Sequence, residues 1–348
     1  MAGFPRASVV IPNWNGESLL PVCLASLQSQ SFQDFEVILV DNGSADRSVE
    51  LARAHIQDLR LIQFAENQGF SRAVNAGIRA ARGDQIALLN SDVELDPEWL
   101  QTLVKTLDSH PEVHACASKM VNARQRELLD GVGIGCLAGG IGYPIGSHEP
   151  DEGQYAYPFE VLGPCAGAAL YRREFFQIAG LFDETFFAYH EDVDLALRAR
   201  WAGLRCLFVP SAVAYHVGGG STGGAMNAFI GRLSTKNRYW VVMKNLPAAM
   251  ILRSVPAMLC YEAFWIRRLA ARGLLGAYFA GLRGAVGELR GMWNKRREIQ
   301  RGRSVPAAQF RRAVRESERM VLQSLARRYA HRRPLVRMIR WYLRLLTT

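Results

Sequence analysis

Four apolar runs within the first 92 residues, SVVIPNW, EVILVDNGS, RLIQFAEN and QIALLNSD, each end in short polar side chains. Segments of helical period separate them: SLLPVCLASLQSQ, DRSVELARAHI and FSRAVNAGIRAARG, the last closed by Gly83. This alternation constrains the fold more than any other feature. Strands joined by helical crossovers pair in parallel, so the expected class is α/β, with a mostly parallel, Rossmann-like sheet covered by helices on both faces. Ligands of such sheets bind beyond the carboxyl ends of the strands. Those ends carry Pro12, Asn13, Trp14 and Asn15; Asp41, Asn42, Gly43 and Ser44; Glu66, Asn67, Gln68 and Gly69; and Asn90, Ser91 and Asp92. Any one of these sets is an ordinary turn. All four on one sheet edge make a candidate site.

Further along, PEWLQTLVKTLDSH predicts a helix starting near Pro97, and VHACASKMV a further strand. Residues 125–165 are glycine-rich and lack helical period, which predicts hairpins and a flexible loop over an active site. YHEDVDLALRARWAG predicts a helix with an acidic start, ended by Gly203. RCLFVPSAVAYH reads as a strand pair, VGGGSTGG as a loop, and the chain from about residue 236 as helical.

The net charge of +10 is unevenly distributed. After Glu262 there are 21 Lys or Arg against four acids, net +17; residues 1–262 hold 21 bases and 28 acids, net −7. Basic character therefore belongs to the tail. The tail's arginines alternate with apolar helix faces, and no nucleic-acid motif accompanies them, so no nucleic-acid partner is expected. No uncharged stretch there approaches the ~20 residues of a spanning helix. A basic amphipathic extension over 241–348, resting on an anionic membrane surface, is the expectation, with helices packed on the catalytic domain as its alternative. Six cysteines without CxxC pairs, and an N-terminus without a long apolar signal region, predict a reduced cytoplasmic protein, peripheral on the inner face of the cytoplasmic membrane.

Neither GxGxxG nor GxxxxGK[ST] follows the first strand, so a bound phosphate needs another partner. A Mg²⁺ or Mn²⁺ ion held by a strand-end carboxylate such as Asp92 meets that need, because hard cations accept phosphate oxygens as further ligands.

SVVIPNWNG, VILVDNGSAD, ENQGFSRAVNAGI, LLNSDVEL, HEDVDLALRARWAG and AYHVGGGST occur in that order. Together they resemble the family 2 glycosyltransferases of GT-A fold, most closely the bacterial rhamnosyltransferase-like branch that builds cell-surface polysaccharides. The resemblance covers roughly residues 7–240, so 1–240 is expected to be the catalytic domain. It implies an inverting, metal-dependent transfer from a nucleotide-sugar donor, dTDP-rhamnose by analogy with the branch, to a saccharide or polyprenyl-linked acceptor. It also implies roles for individual residues. Pro12, Asn13, Asn15, Asp41, Asn67 and Gly69 would hold the donor nucleotide. Asp92 and His216 would bind the metal. Asn90, which stands where the family has the first Asp of its DxD element, would lie with Ser91, Ser221 and Thr222 about the diphosphate. Asp192 would be the general base. Glu191 reads either as an acceptor contact or as a charge at a helix N-terminus. Asp194 and Arg198, four residues apart, read as a helix-surface pair. Arg200 and Trp201 match part of a QxxRW motif whose Gln is Leu197 here, and Trp201 reads equally as core. A sugar-phosphate nucleotidyltransferase and a non-catalytic nucleotide-sugar-binding protein are the competing readings; the first would want a GxGTR-like loop where NWNGES stands.

Overall fold

The computed structural model describes residues 3–137, 139–218 and 226–347. The first half contains β1 (Ala7–Asn13), α1 (Leu20–Gln28), β2 (Phe35–Asp41), α2 (Ser48–His55), β3 (Arg60–Gln63), α3 (Phe70–Ala80), β4 (Gln85–Leu89), β5 (Val93–Leu95), α4 (Trp99–Ser109) and β6 (Ala115–Asn122). The short strands β7 (Leu129–Gly131), β8 (Ile134–Leu137), β9 (Ile141–Pro144), β10 (Phe159–Val161) and β11 (Ala168–Arg172) follow. Then come α5 (Arg173–Ala179), α6 (Glu191–Trp201) and β12 (Cys206–His216). Six helices complete the chain: α7 (Ala228–Asn245), α8 (Ala248–Ala270), α9 (Leu275–Gly287), α10 (Leu289–Arg301), α11 (Ala307–Arg328) and α12 (Arg333–Thr347).

The main sheet runs β10-β12-β6-β11-β4-β1-β2-β3. Pairing is parallel from β3 through β2 and β1 to β4, and again between β12 and β6, while β11 lies antiparallel between β4 and β6. Alternation along β1 explains the two covered faces. Val10 packs with Ile38, Val74 and Ile78 toward α3, whereas Val9 and Ile11 pack with Leu20, Leu24, Trp99 and Leu103 toward α1 and α4. Chain order reverses around β1, so the ends of β1 and β4 flank a crevice.

Two expected features differ. RCLFVPSAVAYH is one 11-residue strand, β12; a register shift between Val209 and Val213 absorbs Pro210 without ending the strand. The glycine-rich β8–β9 hairpin does not cover the cavity described below. It packs beneath α11 and α6, and a side chain on Gly135 or Gly142 would collide with Val321 or Val193 respectively. Gly203, at φ +81°, ends α6 as expected, with the Leu204 N–H donating to the Ala199 carbonyl.

A third core joins α6 to the C-terminal helices: Val193, Leu197 and Trp201 meet Trp240 and Val241 of α7, Ala285 of α9, Met292 of α10 and Phe310 of α11. The division drawn at residue 240 falls inside α7. Among the described residues, α8 alone is long and apolar enough to cross a membrane by length and composition, and Arg253 and Glu262 interrupt it.

Candidate active site

A cavity of about 620 Å³ opens beyond the ends of β1 and β4. Pro12, Asn13, Trp14, Asn42, Asn67 and Phe70 line one side; Asn90, Ser91, Asp92 and His216 its floor; Phe187, Tyr189, Glu191, Asp192 and Phe229 the other.

The floor is assembled by strand pairing across long sequence separations. Antiparallel β5–β12 pairing sets His216 opposite Val93, next to Asp92. The His216 Nε2 lies 3.3 Å from Asp92 Oδ1, and its Nδ1 lies 2.8 Å from Oδ2 of Asp130, a residue of β7. Burial alone would depress the imidazole; hydrogen bonds and charge from Asp130 and Asp92 override it and push it up to about 10. Without a cation Nε2 keeps its proton and pairs with Asp92; with that proton displaced, the two atoms are spaced to share a hard divalent cation. Two ligand atoms at adjacent corners of an octahedral ion with bonds of ~2.1 Å lie roughly 3 Å apart. Asp130, bonded to Nδ1, stands where a carboxylate would orient that imidazole from behind if it held a metal. No cluster of three or more His, Cys, Asp or Glu poised for a metal exists among the described residues, so donor oxygens and water would complete the shell. Asn90 Oδ1, buried and without a protein partner, is available toward the same ligand.

On the β1–β2 side, Asn13 Nδ2 donates to Ser44 Oγ at 3.2 Å, and its Oδ1 is buried without a partner among the described residues. Asn42 joins the loops, donating to Asn67 Oδ1 at 3.0 Å and accepting from the Gln68 N–H at 2.9 Å. Asp41 and Asn15 stand behind this wall rather than in it. Asp41 is buried beside Asn13 and Ser44, and Asn15 accepts from the Ala45 N–H. Gly69, at φ +89°, lets the loop pass tightly against Phe187.

On the facing side, α6 begins after a strained turn. Phe187, Tyr189 and His190 all have φ near +68°, a conformation that costs non-glycine residues about 1–3 kcal/mol each. Asn237 of α7 holds this turn: its Nδ2 donates to the carbonyls of Phe186, Ala188 and Tyr189 at 2.8–2.9 Å. Burial lowers the His190 imidazole to about 4, keeping it neutral. The turn delivers Glu191 and Asp192 into the cavity. Burial raises both carboxyls; the charge of Asp192 raises Glu191 further, while hydrogen bonds from backbone N–H groups, including that of Val193 at 2.7 Å, restrain the rise at Asp192. The two neighbouring carboxyls therefore titrate as a pair, and the first negative charge disfavours the second.

Asp194 turns inward rather than forming a surface pair. It is fully buried and meets Lys244 at 2.8 Å, Asn245 at 2.8 Å and Arg198 at 3.0 Å. Arg200 and Trp201 are also corrected. About 12 Å of helix separates Arg200 from Asp192, and neither residue lines the cavity. Arg200 pairs with Glu160 and reaches the Val161 carbonyl, while Trp201 is buried, stacks on Phe310 at 3.9 Å and donates to the Asn245 carbonyl. Ser221 and Thr222 lie outside the described residues. Sequence reasoning missed Asp130 and Asn237, and placed Asn42 at a strand end without its role in tying the two loops. Only Asn237 had a local signal, a polar residue within the otherwise packed face of a helix.

Residues 8–178 match the family described as Glycosyl transferase family 2. The N-acetylglucosaminyl-diphospho-decaprenol L-rhamnosyltransferase of Mycobacterium tuberculosis is 30% identical over 228 residues, 58% of this chain and 72% of that protein. The chain belongs to glycosyl transferase family 2. This family 2 chain is also 31% identical over 214 residues to the O-antigen biosynthesis protein RfbC of Myxococcus xanthus, of which it spans 16%. It spans 33% of the putative glycosyltransferase EpsH of Bacillus subtilis. The GT-A fold is shared with two solved structures, each at 18% identity. GalNAc-T7 with UDP, GalNAc and Mn²⁺ has a TM-score of 0.55, covering 70% of this chain and 48% of the other. The mannosyltransferase PcManGT of Pyrobaculum calidifontis with GDP-Man and Mn²⁺ has a TM-score of 0.52, covering 86% of each chain.

The clamp by Asn237 makes a specific expectation for this family 2 site. Asn237→Ala should lower kcat by up to about 10²-fold, because misplacing a reacting group by about 1 Å costs that much. The donor KM should change little, since Asn237 touches only the turn. Steady-state kinetics checks this; an unchanged kcat removes Asn237 from positioning.

Proposed function

We propose that the protein transfers a sugar from a nucleoside-diphosphate sugar to a hydroxyl of a saccharide or polyprenyl-linked saccharide, with inversion, in cell-surface polysaccharide synthesis. The observation that carries this reading is that Asp192 lines the same cavity as the Asp92–His216 pair. In this reading the donor nucleotide lies along Pro12, Asn13, Asn42 and Asn67, and its diphosphate lies over Asn90, Ser91 and Asp92. Asp192 takes the proton of the acceptor hydroxyl as that oxygen attacks the anomeric carbon. Glu191 lies beside the base, and burial of the two neighbouring carboxyls disfavours a second negative charge there. Asp92 and His216 would hold Mg²⁺ or Mn²⁺, which when bound supplies positive charge to the departing nucleoside diphosphate. Asp130 keeps the imidazole oriented with Nε2 toward the cavity.

dTDP-rhamnose is the proposed donor, supported by the rhamnosyltransferase relative. Residues 241–348 would form a basic helical extension that keeps the enzyme on the anionic inner face of the cytoplasmic membrane, near a lipid-linked acceptor.

A donor panel, followed by nucleoside diphosphate release with Mg²⁺ and Mn²⁺ compared, tests the reading. Metal-dependent release with acceptor supports it. Pyrophosphate release from a nucleoside triphosphate and sugar phosphate would instead support a nucleotidyltransferase. Asp130→Asn is expected to weaken metal affinity by about 10–100-fold, measured by calorimetry. An affinity equal to that of the unaltered protein removes Asp130 from the metal site.

A further inference from the structure

Helix α8 leaves large apolar side chains in water, as α9 does with Phe279 and Val286, and it is the helix among the described residues long and apolar enough to span a membrane. Its inward face is docked on α7: Trp265 Nε1 donates to Thr235 Oγ1 at 2.8 Å, Leu269 packs against Gly231, and Glu262 pairs with Arg238 and accepts from the Tyr278 hydroxyl at 2.5 Å. Its outward face is apolar as well. Leu252 (73% exposed), Val255 (41%), Leu259 (64%) and Ala263 recur at spacings of three and four residues, and Cys260 and Phe264 (55%), four apart and also exposed, widen the face on one flank. Leu252 and Phe264 are about 18 Å apart along the axis. A helix apolar on every side is ordinarily buried, and a contiguous exposed apolar stripe marks a contact surface.

Charge decides the occupant. Arg253 lies beside the N-terminal end of the stripe, Arg267, Arg268 and Arg272 beyond its C-terminal end, and all four are exposed. The only acid of α8, Glu262, is engaged by Arg238 and Tyr278. A second copy pairing antiparallel through this stripe would set Arg253 against Arg267 and Arg268 of its partner, with no acid on the shared face. An anionic bilayer meets both demands, taking the apolar stripe into its acyl boundary and the arginines at its phosphates.

We propose that α8 lies flat in the headgroup layer of an anionic membrane and is the lipid-contacting element of this chain. The proposal deepens the membrane-surface part of the proposed function and rests on it. α8 docks on α7, the helix whose opening residues include Phe229 of the cavity wall. Docking therefore brings the acceptor side of the site to the lipid surface, which suits an acceptor carried on a lipid.

Cys260 is the one exposed cysteine among the described residues and sits within the stripe, so it serves as a native reporter. The full chain, labelled there with an environment-sensitive maleimide dye, is mixed with phosphatidylcholine vesicles with and without roughly one-third phosphatidylglycerol; labelled Cys260→Ser sets the background. The expected result is a blue shift with anionic vesicles only, quenched by headgroup-depth quenchers. Arg267→Glu with Arg268→Glu should weaken binding at least about tenfold, and Leu259→Asp with Phe264→Asp should abolish the shift. Transfer to a water-soluble acceptor should be unchanged in both variants, which keeps binding separate from chemistry. Vesicle binding with an unshifted dye would overturn the role of α8 alone, whereas no vesicle binding at all would overturn the membrane reading with it. Quenching confined to the bilayer midplane would show a spanning helix, and a lipid-free shift on raising protein concentration would show self-association; either overturns the proposal.

Discussion

Asp192→Asn is expected to lower kcat by about 10²–10⁴-fold, the range for loss of a positioned general base, while donor affinity stays within about twofold. The substitution preserves shape and removes only the ability to accept a proton. The pair's environment also fixes the sign of the pH dependence. Burial raises Asp192 above the ordinary carboxylate range, so the base becomes protonated, and activity falls, at a higher pH than an exposed aspartate would give. The acid limb of kcat/KM should therefore lie above the usual carboxylate range and flatten in Asp192→Asn. Glu191, buried beside it, is raised as well, and the pair resists carrying two negative charges, so a neutral amide at position 191 leaves Asp192 able to act as base. Glu191→Gln should accordingly retain most of the neutral-pH rate. A loss as large as that of Asp192→Asn would reverse the division of roles.

The second large effect concerns stability. Lys244, 2% exposed, reaches Asp183 at 2.5 Å and Asp194 at 2.8 Å, and Lys295 reaches Asp183 at 2.6 Å. Burial would raise both carboxyls, but the Lys244 ammonium, with Lys295 on Asp183 and Arg198 on Asp194, more than offsets it and holds both below their usual range. Lys244→Met removes the buried partner shared by both carboxylates, leaving Asp194 to Arg198 and Asp183 to Lys295, and should cost about 3–5 kcal/mol, read from urea denaturation. Adding Asp194→Asn should recover part of that loss, since it removes a charge Lys244 had matched. A cost under about 1 kcal/mol for Lys244→Met would show that the network is solvated. Because α6 carries both Asp194 and Asp192, this network also anchors the helix that presents the base.

The strand-end logic located the site because it depends on local pattern alone. β1, β2 and β4 announce themselves as apolar runs, and their polar ends gave Asn13 and Asp92 directly. What escaped depends on pairing between distant segments. Asp130 belongs to a three-residue strand, and its meaning arises only when β6 and β12 bring it behind His216, 86 positions later. Asn42 was visible as a strand-end residue, but its part in tying β2 to the loop at Asn67 needed coordinates. The glycine-rich hairpin was misplaced for a related reason. Its glycines permit close approach by other helices, and composition does not distinguish that from freedom to move. Arg200 and Trp201 show how helix geometry limits a motif: eight and nine residues beyond Asp192, they lie away from the cavity.

The configuration of the product at the transferred anomeric carbon tests the central claim most directly. With the donor that supports metal-dependent release, NMR of the first product formed should show the anomer opposite to that of the donor, as a single displacement assisted by Asp192 requires. Retention of the donor's configuration would contradict it.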